Sequence, residues 1–177
     1  RPDGSVVETK SVKMTCTQEW ATYDKAQMHE RERFMVLLRD LCKGIPQPEQ
    51  TFGRPRLPLA DVVFGIVYKT YTTMSGRRFM SHIREAEKEV LVVKAPSFAS
   101  NARYLENPDL TPLLKRLIEQ SASPLRAVET DFAVDSSGFA TTTYDRWFDH
   151  KWGKVRSEAK WVKTHLMCGV KTHVVTS

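Results

Sequence analysis

Cysteine is scarce in this chain: Cys16, Cys42 and Cys168 are the only three in 177 residues, an odd number at wide spacing. No CxxC pair or Cys/His ligand spacing accompanies them, which argues against a disulfide framework and a structural zinc site. Such a chain is expected in a reducing compartment, most simply the cytoplasm. No apolar run approaches the roughly 20 residues that span a bilayer, so no membrane partner is expected. A P-loop, a GxGxxG fingerprint and a Gly-x-Ser-x-Gly elbow are all missing. Their absence argues against those nucleotide sites and against a hydrolase triad built on Ser136 or Ser137. The start Arg1-Pro2-Asp3-Gly4 has neither an initiator Met nor a signal-peptide pattern, and predicts a piece cut from a longer protein.

Acidic residues are in modest deficit. There are 27 Lys+Arg against 21 Asp+Glu, a formal net charge of +6. The excess is spread evenly, so no segment is a basic arm. A mild, distributed positive charge suits a polyanionic partner, because neutralised phosphates release counterions, and equally suits an ordinary basic protein. With 41% apolar and 27% charged residues the chain is globular and long enough for one domain, or a small domain plus part of another.

Residues 1–14 read as a polar lead-in. Thr15 with Gln18 forms a capping box that opens a helix running to Lys43. Trp20, Tyr23, Gln27, Phe34, Leu37, Leu38 and Leu41 recur along it at helical spacing as a core stripe, and Gly44 with Pro46 ends it. Four prolines make residues 44–58 a linker or extended surface loop. From Leu59 a nearly all-round apolar run predicts a buried helix. Ser75 then caps another through Glu89, with Phe79, Met80, Ile83 and Ala86 inward and Arg77, Arg78, Arg84 and Lys88 outward. Pro96-Ser97 starts a short helix that Asn107-Pro108 stops, and Thr111-Pro112 opens one closed by Ser123-Pro124. Residues 15–123 are therefore expected to be all-helical, with a helix-turn-helix arrangement that offers residues 76–89 or 97–106 to a DNA groove. Tri-helical packing with a basic outer face is the competing account.

After Pro124 the composition turns to Val, Thr and aromatics, which predicts strands over 129–139 and 160–170, with Val174-Val175 starting a third. Residues 124–177 are expected to begin a sheet domain too small to bury both faces, and the overall class is α+β. Phe132 and Val134 alternate with Asp131, Ala133 and Asp135, and Ser136-Ser137-Gly138 reads as a turn. Asp135 is thus expected at the carboxyl end of a short buried strand, where a divalent metal would compensate its charge, or as the first residue of a plain Asx-type turn. A rival constellation places Asp135 with Glu158 and Lys160, as in nucleases where two carboxylates hold Mg2+ and a lysine orients water. His150, His165 and His173 have no partner at ligand spacing and read as surface or hydrogen-bonded histidines.

Several phrases in order carry a resemblance. They are Trp20-x-x-Tyr23-x-x-Ala26-Gln27, Gly53-Arg54-Pro55-Arg56-Leu57-Pro58, Lys69-x-Tyr71 with Ser75-Gly76-Arg77-Arg78, and Pro96-Ser97-Phe98 with Arg103-Tyr104-Leu105. Then follow Phe132 to Phe139, Trp147-Phe148-Asp149, and Val162-Lys163-x-His165 with Gly169 to Thr172. Over residues 15–177 this order resembles insertion-sequence transposases of the DDE superfamily. The resemblance implies a helical DNA-binding region followed by the first strands of an RNase H-like catalytic domain. It implies double-stranded DNA at element ends as partner, a homodimer in the intact enzyme, and Mg2+ (or Mn2+) held by three carboxylates. Asp135 matches the first of these, which in such families ends the first strand. The second and third have no counterpart, and Asp149 and Glu158, lying before the second strand, are not assigned those roles. The fragment alone is expected to be inactive. Arg54, Arg56, Arg77, Arg78 and Arg103 are the expected DNA contacts. The alternatives are a DNA-binding regulator without catalysis, the Asp135, Glu158 and Lys160 nuclease, and a helical interaction domain.

Overall fold

The computed structural model describes residues 19–125, 127–140, 151, 153 and 161–177. Within them the chain is α+β, with six α-helices followed by a two-stranded antiparallel sheet. The helices are α1 (Trp20–Met28), α2 (Glu30–Lys43), α3 (Leu59–Thr72), α4 (Gly76–Lys88), α5 (Phe98–Leu105) and α6 (Thr111–Ala122). The strands are β1 (Phe132–Ala140) and β2 (Trp161–Gly169). No described helix is long and apolar enough to cross a membrane.

The core is built around α3, whose apolar run leaves it no polar face to show to water. Asp61 through Ile66 and Tyr68 are all buried. Met35, Leu38 and Cys42 of α2, Phe79, Ile83 and Ala86 of α4, and Leu117 of α6 close on it. Gly65 lets α5 come close: a Cβ there would stand 3.0 Å from Asn101 Oδ1 and 3.4 Å from Pro96 Cγ. Among the polar groups carried into this core, Tyr68 and Asp61 are hydrogen-bonded, whereas the side-chain amide of Asn101 has no hydrogen-bond partner among the described residues. The Tyr68 hydroxyl accepts from Arg31 Nε (3.1 Å), and Arg31 Nη2 donates to Glu85 Oε2 (2.8 Å), which ties α2, α3 and α4 together. Beside this node Phe34 stacks on Tyr71 with ring centroids 4.1 Å apart, and the Tyr71 hydroxyl donates to Glu30 Oε1. Asp61 accepts from the N–H groups of Val93 (3.2 Å) and Lys94 (2.9 Å), so the loop after α4 is fastened to α3.

The single helix expected up to Lys43 is two. It breaks at His29 (φ −110°, ψ 11°), and α1 buries none of its residues. Trp20 and Tyr23, expected in the core, are 63% and 45% exposed. Helical spacing sets which side chains share a face, but only a partner surface buries them, and α1 meets none among the described residues. The capping box at Thr15 and Gln18 lies outside those residues. The helices of the rest of the block fall within a residue or two of expectation, with Ser97 capping α5 by accepting from Ser100 N (3.2 Å).

The sheet departs from expectation at its first strand. Ser136-Ser137-Gly138 does not turn. β1 continues through it to Ala140, in register with β2 from Phe132↔Gly169 to Ala140↔Trp161. Asp135 is therefore inside the strand, opposite Leu166, and not at its end. Nor is the strand buried: Phe132, Val134 and Phe139 are 45%, 72% and 56% exposed. Turn propensity is local, whereas a ladder supplies backbone partners all along the segment, and here the ladder prevails. Ser136 Oγ and His165 Nδ1 add a side-chain hydrogen bond of 2.8 Å across it. Beyond β2, residues 170–172 turn and the chain returns, with Val175 bridging Cys168 and Thr176 N donating to Met167 O (2.8 Å).

One backbone feature gives a stability prediction. The N–H of Val90 bonds Glu87 O and that of Leu91 bonds Ala86 O, so the chain leaves α4 through a left-handed residue at Val90 (φ 59°). A β-branched side chain in this region is strained, and glycine is the residue that suits it. Val90 is 69% exposed, so its replacement removes little packing. Val90→Gly is expected to stabilise the protein by about 1 kcal/mol, read as a raised denaturation midpoint at unchanged denaturant slope.

Candidate functional site

Asp135 has an exposed carboxylate whose Oδ1 accepts from the N–H of Ser136 at 2.7 Å. Directly opposite residues share a face of an antiparallel pair, so its face carries Ala133 and Ser137 on β1 and Thr164, Leu166 and Cys168 on β2. None of these is a second carboxylate, the ligand that a Mg2+ centre of this kind depends on. Asp131, on the same parity, is four residues away, roughly 13 Å along an extended chain. Among the described residues no three His, Cys, Asp or Glu side chains are grouped so as to hold a metal ion. The described residues thus do not make up a two-Mg2+ centre around Asp135. Glu158, Lys160 and Asp149 lie outside the described residues, so the nuclease-like constellation does too.

The cationic residues fall around the helical block. Arg77 and Arg78 occupy the first turn of α4 and are exposed, as are Arg84 and Lys88 further along it. None of the four is in an ion pair among the described residues. The Arg77 guanidinium stands 6.0 Å from the centroid of Phe98, the first residue of α5, within cation–π range. Arg56 reaches the other end of α5, where it lines a cleft of about 350 Å³ with Tyr104, Asn107, Asp109 and Arg116. Arg103 is exposed on α5 between these two, about 140° round the helix from Phe98. Of the five expected contacts, Arg56, Arg77 and Arg103 are therefore placed along α5, without sharing one helix face.

Arg54 and Arg56 ride on a loop that is stitched by two glutamines. Gln50 Nε2 donates to Phe52 O (2.7 Å) and Arg54 O (2.8 Å), and its Oε1 accepts from Arg56 N (3.1 Å). Gln47 closes the base: its Oε1 accepts from Leu59 N at 2.7 Å and its Nε2 donates to Leu57 O at 3.4 Å. Composition predicts only a proline-rich loop here, and the glutamine side chains that shape it carry no local signal.

Glu129 was equally invisible to sequence reasoning. It is 8% exposed and accepts from the N–H groups of Lys171 (3.2 Å) and Thr172 (2.6 Å). Gly169 makes room for it, since a Cβ there would overlap the carboxylate. Glu129 thus holds the turn from which the third segment pairs with β2. The Thr172 side chain is the main reason its carboxyl sits below the usual glutamate range, with the N–H groups of Thr172 and Lys171 adding to it against the opposing effect of burial. Comparison of the chain with family models, curated proteins and solved structures finds no match.

A depressed carboxyl stabilises the fold above the unfolded-state value and loses that contribution as pH falls through the folded-state value. Acidification is therefore expected to release the 170–172 turn. In a titration followed by NMR, the Thr172 amide resonance should move toward its random-coil position with a midpoint below the ordinary glutamate value of about 4.3. A midpoint at or above that value would show that Glu129 does not clamp the turn.

Proposed function

We propose that this chain handles DNA as the amino-terminal portion of a transposase, its helical block reading duplex DNA and Asp135 serving as one carboxylate of a Mg2+ (or Mn2+) site that the described residues do not complete. The observation that carries this reading is the α3–α4 hairpin. Thr73, Met74 and Ser75 join the two helices, with Thr73 left-handed (φ 54°). A short turn of this kind lets α3 stay buried while α4 lies across it with one face outward. That outward face begins with Arg77 and Arg78. A recognition helix contacts base edges and phosphates with its amino-terminal residues, where its backbone N–H groups also favour an anion.

Supporting this are the unpaired state of these arginines and the placement of Arg56 and Arg103 near the neighbouring helix α5. Guanidinium groups in an ion pair would have to be released before meeting phosphate, and these need no release. The α+β order, helices first and an antiparallel sheet after, agrees with the arrangement that the resemblance to DDE transposases implies. The interior position of Asp135 does not agree with the strand-end acid of that pattern, and no chemical step is derived from it.

Binding is measured by fluorescence anisotropy on duplex DNA across 50 to 200 mM salt. Affinity should fall steeply with salt, by a log–log slope of about 0.9 for each phosphate neutralised. Arg77→Ala with Arg78→Ala should weaken binding by about tenfold or more and flatten that slope by up to about 2. Both arginines are exposed, so circular dichroism should be unchanged. Failure of the wild type to bind duplex DNA at low salt would leave a helical interaction domain as the better account. The chain alone is also expected not to nick supercoiled DNA in Mg2+. Mg2+-dependent nicking that disappears in Asp135→Ala would overturn that expectation.

A further inference from the structure

We propose that residues 50–56 form a rigid wedge for duplex DNA, with Phe52 entering an opened base step while Arg54 and Arg56 hold the flanking phosphates. This rests on the DNA-binding reading above and assigns to the loop a role beyond phosphate contact. Phe52 is 90% exposed, the highest value for a large apolar side chain among the described residues. A single exposed phenylalanine on a slack loop would be unremarkable in a surface census. This loop is not slack. The Gln50 side chain makes three hydrogen bonds to its backbone, at Phe52, Arg54 and Arg56. Gly53 takes a positive φ of 92°, a conformation that other residues adopt at a cost, and Pro48 and Pro55 restrict the flanks. The chain thus spends local order on holding out an aromatic ring that buries nothing of its own.

The charge around the ring identifies what it meets. Residues 50–60 contain two arginines and no acid, and neither guanidinium is ion-paired among the described residues. An aromatic ring beside two unpaired cations matches a surface with stacked apolar faces inside and anionic groups outside. Duplex DNA has that construction, and apolar side chains wedged between base pairs with flanking arginines are an established way to kink it. An anionic membrane offers similar charge, but a stable hold on lipid takes a much larger apolar face than one ring. The wedge needs no base-specific hydrogen bond. Its preference is for steps that unstack readily, pyrimidine–purine steps above all. Gln50 acts through Phe52 and is a positioning residue.

The test uses the full chain and a duplex of about 30 base pairs with 2-aminopurine beside a central TpA step, which is among the easiest to unstack. A terminal dye reports binding by anisotropy in the same samples. Wild-type protein should raise the 2-aminopurine emission as it binds. Phe52→Ala should bind with the same salt slope and lose the emission rise, and Phe52→Trp should keep the change in stacking. Gln50→Ala should diminish the emission rise without altering the salt slope. Arg54→Ala with Arg56→Ala should lower the slope by up to about 2. Three results would overturn the proposal. In the first, Phe52→Ala binds and raises the emission like wild type, which removes the wedge and leaves the DNA reading intact. In the second, wild type does not bind the duplex at low salt, and both fail. In the third, phosphatidylserine vesicles bind more tightly than the duplex and lose that binding in Phe52→Ala, which makes the loop a lipid contact.

Discussion

The helical block depends on how one phenol is satisfied. Tyr68 is fully buried on α3, and its hydroxyl would cost about 1 to 3 kcal/mol if left without a partner there. Arg31 reaches it from α2 and bonds Glu85 of α4 with the same guanidinium. The ion pair half of this node is close to half exposed on both sides and contributes at most about 1 kcal/mol. The buried bond to Tyr68 therefore matters more for stability, and the ion pair matters for where α4 lies. The bond to Glu85 first, and that to Tyr68 second, hold the guanidinium even more firmly protonated than usual. The node is consequently indifferent to pH as far as Arg31 is concerned.

Two further constraints complete the placement of α4. Asp61 takes two backbone N–H groups from the loop that follows it, and the left-handed Val90 turns the chain into that loop. Buried charge would normally be an expense on α3, but two backbone donors aimed at one carboxylate offset it. The same charge, together with burial, pushes the thiol of Cys42 up to about 12, burial being the larger cause. Cys42 is thus a packing residue and stays protonated. With its inner face fixed by Phe79, Ile83 and Ala86 and its end fixed by this loop, α4 has one orientation in which to show Arg77 and Arg78. The functional reading of the block hangs on that geometry more than on the number of arginines.

What the sequence disclosed about the fold was whatever local pattern alone determines. The apolar run from Val62 to Tyr68, with Leu59 and Tyr71 in step on either side, read as a buried helix and is one. The pairs Ser97 before Phe98 and Thr111 before Pro112 marked starts that chemistry dictates. β2 was legible because it alternates without an interior breaker. The failures share another cause, which is dependence on partners far along the chain. Nothing near Trp20 says whether a surface will cover it. Nothing near Ser136 says that the ladder opposite, 29 residues on at His165, will hold an apparent turn extended. Glu129 bonds residues 42 and 43 positions away, and Gln50 shapes a loop whose composition suggested only slackness. The arginines of the candidate site were nameable from sequence, but the placement of Arg56, Arg77 and Arg103 along α5 was not.

Asp135 shows why the two halves of the functional reading stand separately. An exposed carboxylate retains its hydration and needs no compensating ion, so its surroundings make no demand for metal. Its one short bond, from the adjacent Ser136 N–H, is satisfied within the strand. Any metal role for it therefore has to come from acids outside the described residues brought to the Ala133, Ser137 and Thr164 face. DNA binding by the helical block requires nothing of the kind. Its cations are already exposed, already free of ion pairs among the described residues, and carried on helices and a loop whose packing is internal to the block. If binding and chemistry were ever linked in one protein, the link would run through DNA held against both parts, since no described contact couples the Asp135 carboxylate to those arginines.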